Sequence, residues 1–274
     1  GEIVVAHLDC HRARQQLLSS EPFRVLTGHR LDFLTDADRI APAEMPELDR
    51  WALHRLWEMD ALVAKAIADY DYHGLWTALH NFCAVDLSAF YFDIRKDTLY
   101  CDHPGSVARR ANRTVMDAIF QRLTTWLAPI LCFTAEEAWL ERHGDGAGES
   151  VHRQTFPETP AEWRDDALAA RWARIREIRR VVTGAIEEGR AEKTIRSSLG
   201  AFPVVFLTSE RMDEVEGVDM AEVCITSDIR VQIGEVPNTP QFEKPFIFTL
   251  SDVPGVSVSC ARNDAPKCDR CWRQ

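Results

Sequence analysis

The chain has 274 residues and a mass of 31.2 kDa, room for about one and a half to two domains. Hydrophobic residues at 46% and charged residues at 27% describe an ordinary folded protein, and no stretch nears the roughly 18 unbroken apolar residues of a bilayer crossing, so no membrane partner is expected. Thirty-two basic against forty-three acidic residues leave a net charge of −11, so a nucleic acid would have to be met by a local basic face rather than by the field of the whole molecule.

Eight cysteines are scattered without the density of a disulfide scaffold, which predicts reduced thiols and a cytoplasmic address. The start Gly1-Glu2-Ile3-Val4-Val5-Ala6-His7 has no basic head and apolar run, so no signal peptide is legible, and a first residue other than Met hints at an excised fragment. The fold of residues 1–22 is left open.

Taken in chain order, Leu48, Trp51, Ala52, Met59, Leu62, Val63, Ala66 and Ile67 recur at steps of three and four and predict a first helix entered at Pro46. Leu75, Leu79, Phe82, Val85, Leu87, Ala89 and Phe90 predict the inner side of a second, ending near Arg95 before the breaker His103-Pro104-Gly105. A third is expected over 105–131, with Val107, Ala111, Val115, Ala118, Ile119, Leu123 and Leu127 inside, Arg109, Arg110, Arg113 and Arg122 outside, and Pro129 ending it. Thr134-Ala135-Glu136-Glu137 reads as a capping box opening a short fourth helix. Gly144-Asp145-Gly146-Ala147-Gly148 reads as a loop, and a long fifth helix is expected from about Asp165 to Glu188. After Leu199-Gly200 the texture turns to short β-type runs, Pro203–Leu207, Val223–Ile225, Phe246–Phe248 and Val256–Val258. The expected architecture is therefore mainly α, a helical bundle over residues 1–199 followed by a small α+β domain over 200–274.

Three features carry possible chemistry. Cys268 and Cys271 form a C-x-x-C pair, half of a tetrahedral zinc site, and Cys260 or a histidine would have to complete the shell; a frayed, unmetallated tail is the competing reading. On the fifth helix and the turn after it, Arg171, Arg174, Arg176, Arg179, Arg180, Arg190, Lys193 and Arg196 stand against Glu177, Glu187, Glu188 and Glu192, locally +4 (eight minus four). Guanidinium forks suit phosphate oxygens, although a solvated helix face laced by Glu–Arg pairs has the same sequence. Tryptophans lie beside basic residues at Trp51, Trp163, Trp172 and Trp272; Trp51, Trp76, Trp126 and Trp139 are expected in the core, while Trp272 has little core to enter and is the candidate for stacking a base. No glycine-rich phosphate loop, G-x-S-x-G or H-E-x-x-H is present, and His54, His73 and His80 read as satisfied helical side chains, so no catalytic residue is assigned.

Several strings are similar to one family. Pro46-Glu47-Leu48-Asp49-Arg50-Trp51-Ala52-Leu53, Asn81-Phe82-Cys83-Ala84-Val85-Asp86-Leu87-Ser88-Ala89-Phe90-Tyr91, the run Asp93 to Asp102, Trp126-Leu127-Ala128-Pro129-Ile130-Leu131 and Phe133-Thr134-Ala135-Glu136-Glu137-Ala138-Trp139 resemble, in order and spacing, the anticodon-binding region of bacterial isoleucyl-tRNA synthetases. Glu192 to Leu199 resembles that family's turn into its last domain, and Lys267 to Trp272 the first half of its four-cysteine zinc knuckle. The resemblance implies a piece of an ATP- and magnesium-dependent ligase with an isoleucine tRNA as partner, bound through its anticodon stem-loop. It also implies a catalytic domain N-terminal to this piece. The HIGH and KMSKS signatures are absent from these residues, so adenylation and editing are not expected of the chain itself. From the charge pattern itself, the tRNA contacts are expected on Arg171, Arg174, Arg176, Arg179, Arg180, Lys193 and Arg196 for phosphates and on Trp272 for a loop base.

The sequence departs from the family pattern at Ser20-Glu21-Pro22, where an Arg-Asn-Thr element is usual, at Arg196 in place of Gly, and at Gly200 in place of Glu. The anticodon-binding region of a valyl-, leucyl- or methionyl-tRNA synthetase, and a helical scaffold with no RNA role, remain the alternatives.

Overall fold

A computed structural model describes residues 36–143, 150–234 and 247–268. The expectations for residues 1–22, the glycine-rich stretch 144–148, Phe246, Cys271 and Trp272 fall outside them. Among the described residues no helix is long and apolar enough to cross a membrane. The chain forms two compact units that divide after Asp165.

The first unit is helical. Helix α1, Glu47–Ala68, starts behind Pro46 and buries Leu48, Trp51, Ala52, Met59, Val63 and Ala66 of the predicted stripe, with Leu56 besides, while Leu62, expected inside, is 39% exposed. Asp71 caps α2, Tyr72–Asn81, accepting from the Gly74 N–H at 2.9 Å. The chain continues through a widened π-helical stretch, Phe82–Phe92, into α3, Asp93–Cys101. The second predicted helix therefore runs past Arg95 to Cys101. Turns closed by i→i+5 bonds also change which residues face inward: Phe82, Asp86, Leu87, Phe90 and Tyr91 are buried, while Val85 and Ala89, expected inside, are exposed.

Ser106 caps α4, Val107–Leu127, through its hydroxyl and the Arg109 N–H at 3.1 Å. Val107 is exposed because it occupies the first turn, before the helix meets its neighbours, and Arg122, expected outside, is 4% exposed. Helix α5, Cys132–His143, begins two residues before Thr134, so the predicted capping box lies inside the helix; Glu136 instead accepts from the Ser150 hydroxyl and the Val151 N–H, holding the turn Val151–Arg153. A second short turn, Ala161–Trp163, returns the chain to α1.

The second unit opens with α6, Asp166–Ala191, whose apolar stripe Leu168, Trp172, Ile175, Ile178, Val182, Ala185 and Ile186 is buried. It packs on a four-stranded mixed sheet of order β2-β1-β4-β3, with β1 Ala201–Leu207, β2 Arg230–Ile233, β3 Ile247–Phe248 and β4 Val256–Arg262. Between β1 and the parallel β2 lie α7, Ser209–Glu214, and α8, Met220–Cys224. The run Val223–Ile225, expected as a strand, is thus the end of a one-turn helix capped by Asp219 and closed by Ile225 at φ 55°. Pro203 is tolerated in the interior strand β1 because β2 pairs only from Val204 onward, so its missing N–H falls where one side of the strand has no neighbour. The sequence texture changes near residue 200, but the long helix groups with the sheet because the sheet covers its apolar stripe.

Candidate nucleic-acid interface

The arginines of α6 project from a helix whose apolar stripe fixes their direction, and most of them are engaged within the second unit. Arg171 donates to the carbonyls of Glu214, at 3.0 Å, and of Glu216, satisfying acceptors at the end of α7. Arg174 Nε lies 3.0 Å from a Glu214 carboxylate oxygen. Arg179 donates to the Val223 carbonyl at 2.9 Å, and Arg180 meets Asp252 at 2.5 Å. Arg176 also has interactions of its own. Arg190 pairs with Glu187 one turn away at 2.6 Å.

Lys193 and Arg196 stand in the turn that follows, and both are exposed. Lys193 adopts φ 62°, the left-handed conformation that closes a helix, while Thr194 and Ile195 donate back to the Gly189 carbonyl. The predicted cationic set therefore divides. Arg171 and Arg179 brace the helices of the α+β unit through backbone carbonyls; Arg174 and Arg180 are paired with carboxylates yet retain side-chain exposures of 48% and 53%; Lys193 and Arg196 are exposed cations of the turn, beside the exposed Glu192.

Cys268 is exposed, and among the described residues no three His, Cys, Asp or Glu side chains come together as metal ligands. Burial pushes the Cys260 thiol up to about 11. Of the C-x-x-C pair only Cys268 lies among the described residues.

Trp51, Trp126, Trp139 and Trp172 are buried, whereas Trp76 is 40% exposed on the flank of α2, beside Tyr72 at 53%. In the first unit the segment 158–165 is pinned to the bundle by five contacts. Arg122 donates to the Glu158 carbonyl at 2.9 Å and to the Thr159 hydroxyl at 3.2 Å. The same guanidinium lies 4.3 Å from the Trp163 ring centre, and that of Arg164 lies 5.0 Å from the Trp57 ring centre. His54, 1% exposed, accepts from the Asp165 N–H at 2.9 Å through Nδ1, which leaves Nε2 to face Glu58 at 3.4 Å.

Between this pinned segment and α1 opens a cleft of about 280 Å³, lined in part by Pro42, Arg50, Leu53, Glu162, Trp163 and Arg164. Sequence reasoning paired Arg50 with Trp51 and passed over the cleft, because its walls are about 110 residues apart in the chain. No pattern within either segment signals the other.

The family of anticodon-binding domains of tRNA ligases matches residues 49–205. The isoleucine–tRNA ligase of Brucella abortus is 49% identical over 239 residues, covering 87% of this chain and 24% of the relative. That of Ruegeria pomeroyi is 49% identical over 252 residues, 91% of this chain and 25% of the relative, and that of Agrobacterium fabrum 48% over 239 residues. The chain spans about a quarter of the length of these curated relatives.

Proposed function

The chain belongs to the family of anticodon-binding domains of tRNA ligases, and from that premise we propose that it binds the anticodon stem-loop of an isoleucine tRNA as one part of a longer, cytoplasmic, ATP-dependent isoleucine–tRNA ligase. The observation that carries the reading is identity of 46–49% to isoleucine-specific ligases over most of the chain, which favours isoleucine over the valine, leucine and methionine alternatives. Residues 1–199 form the RNA-binding part in this reading and 200–274 a small appended domain. Amino-acid activation belongs to the rest of the ligase, and this piece contributes placement.

Anticodon bases are read when splayed out of the loop, stacked and hydrogen-bonded on their edges, and a rigid helical bundle supplies fixed positions for that. With an overall charge of −11, phosphates must be met locally. Lys193 and Arg196 are the exposed cations for that purpose, with Arg174 and Arg180 exchanging a carboxylate for a phosphate, Arg176 adding charge, and Arg171 and Arg179 holding the surface in shape. Trp272 is assigned to a loop base by sequence alone. The internal pairing of the arginines is the observation that favours the scaffold reading instead.

A gel shift at low salt with isoleucine tRNA, and with the same tRNA carrying an altered anticodon, separates the two. Binding that weakens with the altered anticodon supports the proposal. Equal binding of both would remove the anticodon assignment, and binding of neither would leave the scaffold.

A further inference from the structure

We infer that the cleft between α1 and the segment 161–165 is a seat for one unpaired nucleotide of the bound RNA, with Arg50 on its phosphate and Trp163 against its base. The inference rests on the RNA-binding reading above and deepens it by naming a site outside the arginine helix.

The starting observation is a guanidinium left without a partner. Arg50 is half-buried, its Nε is closed to solvent, and that nitrogen has no hydrogen-bond acceptor. What sets Arg50 apart from its neighbours is the lack of a carboxylate: Arg55 meets Asp86 at 2.9 Å, and Arg95, whose Nε is likewise buried without an acceptor, meets Asp49 at 2.6 Å through a terminal nitrogen. A buried donor that is not satisfied costs about 1–3 kcal/mol, more when it is charged, so a group kept in that state is explained by an acceptor that arrives from outside. Arg50 lines the cleft, and an anion entering there would meet the planar fork that suits phosphate.

The remainder of the lining selects the kind of anion. At about 280 Å³ the cleft lies just under the usual range of small-molecule pockets, so it admits one compact group rather than a large ligand. Trp163 and Pro42 offer flat apolar surface, and Trp163 is held in place by the Arg122 guanidinium 4.3 Å from its ring centre. Glu162 on the rim is an acceptor, the group that reads exocyclic amino hydrogens of a base. A nucleotide uses all three: its phosphate on Arg50, its ring on Trp163, its amino edge on Glu162. An acidic side chain from another polypeptide would use the first and leave the ring and the acceptor unmatched.

The wall is built rather than incidental. Arg122 on Glu158 and Thr159, His54 on Asp165 and Arg164 over Trp57 fix the segment that carries Trp163 before any ligand arrives. Preorganisation of this kind lowers the ordering cost of binding.

The test uses the full chain, an anticodon stem-loop RNA of the isoleucine tRNA, and three variants. Arg50→Met keeps the apolar stem and removes the fork; it should weaken RNA binding roughly tenfold and flatten the slope of log K against log salt by about 0.7, one single-strand phosphate contact. Its melting temperature should not fall, because no folded-state bond is lost. Trp163→Leu should weaken binding between roughly 5- and 100-fold with the salt slope unchanged, and Trp163→Phe should restore most of it. Wild-type chain that binds the RNA while Arg50→Met binds equally well with the same slope would overturn the seat and leave the RNA-binding reading intact. If Arg50→Met instead loosened only the association with the rest of the ligase polypeptide, the occupant would be protein and the inference would fall. Absence of any RNA binding by the wild-type chain would sink both.

Discussion

Asp49 and Arg95 meet at 2.6 Å with exposures of 0% and 4%, a buried ion pair that joins α1 to α3. Tyr91 donates to the other Asp49 oxygen at 2.7 Å and accepts from Asn112 at 3.1 Å, so α1, the π-helical stretch, α3 and α4 share one polar network at the centre of the bundle. Removing one partner strands the other. Asp49→Ala is expected to cost about 3–5 kcal/mol, against a whole-domain stability of about 5–15 kcal/mol. Asp49→Asn keeps the shape and one acceptor and should cost less. Urea midpoints of the two variants check the order; equal midpoints would mean that the charge contributes nothing.

The same network makes a prediction about alkaline pH. Burial first, and the Asp49 carboxylate second, push the Tyr91 phenol well above its ordinary value near 10. The folded state therefore favours the protonated phenol. Its contribution to stability is whole below about pH 10, where the unfolded chain also keeps the proton, and is lost as pH rises toward the folded value, at about 1.4 kcal/mol per pH unit. Tyr91→Phe should lower stability at pH 7 by about 1–3 kcal/mol, through the acceptor and donor it leaves behind, yet show a shallower loss between pH 10 and 11. Parallel alkaline curves for wild type and variant would rule out Tyr91 as the titrating group.

The helices were legible because their apolar residues repeat at three and four, and the family strings fall on them. What stayed hidden depended on partners far away in the chain. Arg122 reads as a surface residue because nothing near it announces the Glu158 carbonyl and the Trp163 ring that take it inside. Arg171 and Arg179 read as a free ridge because their carbonyl partners lie 43 to 45 residues on, behind a strand and two short helices. Val223–Ile225 is apolar and β-branched in texture, but Asp219 caps a single helical turn there. Strand β2, Arg230–Ile233, was missed because an edge strand with half-exposed residues carries no apolar run.

The divided arginine set leads to opposite expectations for neighbouring residues. Arg179→Ala removes the donor to the Val223 carbonyl and should lower the stability of the α+β unit by about 1 kcal/mol, with little change in the salt dependence of tRNA binding. Lys193→Ala and Arg196→Ala touch no described bond and should leave melting unchanged, while each flattens the salt slope by about 0.7 to 0.9. Melting curves and salt titrations on the same samples decide it. A flattened slope for Arg179→Ala together with an unaltered one for Lys193→Ala would reverse the assignment.

Thiol reactivity follows burial. Burial pushes Cys224 up to about 12 and Cys83 and Cys260 up to about 11, so at pH 8 their thiolates are scarce. Cys132 and Cys268 are exposed. Among the cysteines of the described residues, alkylation at pH 8 followed by peptide mapping should label Cys132 and Cys268 first and Cys224 only after unfolding. Early labelling of Cys224 would show that α8 opens readily in the folded protein.

Two glycines of α6 separate backbone propensity from packing. Replacing a helical glycine by alanine gains about 1 kcal/mol of intrinsic propensity wherever the methyl group has room. At Gly189 a Cβ would come within 2.6 Å of the Ile195 Cδ1, the far end of a flexible side chain that can turn away. At Gly184 it would come within 2.5 Å of the Phe248 ring, a rigid group on the short strand β3, paired to β4 through Ile247↔Ser259 and Phe248↔Val258. Moving that ring means moving the strand, an overpacking cost of about 1–3 kcal/mol that outweighs the propensity gain. Gly189→Ala should therefore be close to neutral and Gly184→Ala destabilising, by thermal melting. A Gly184→Ala variant more stable than wild type would mean that β3 yields without loss, and that the contact between Phe248 and α6 contributes little to holding the sheet edge.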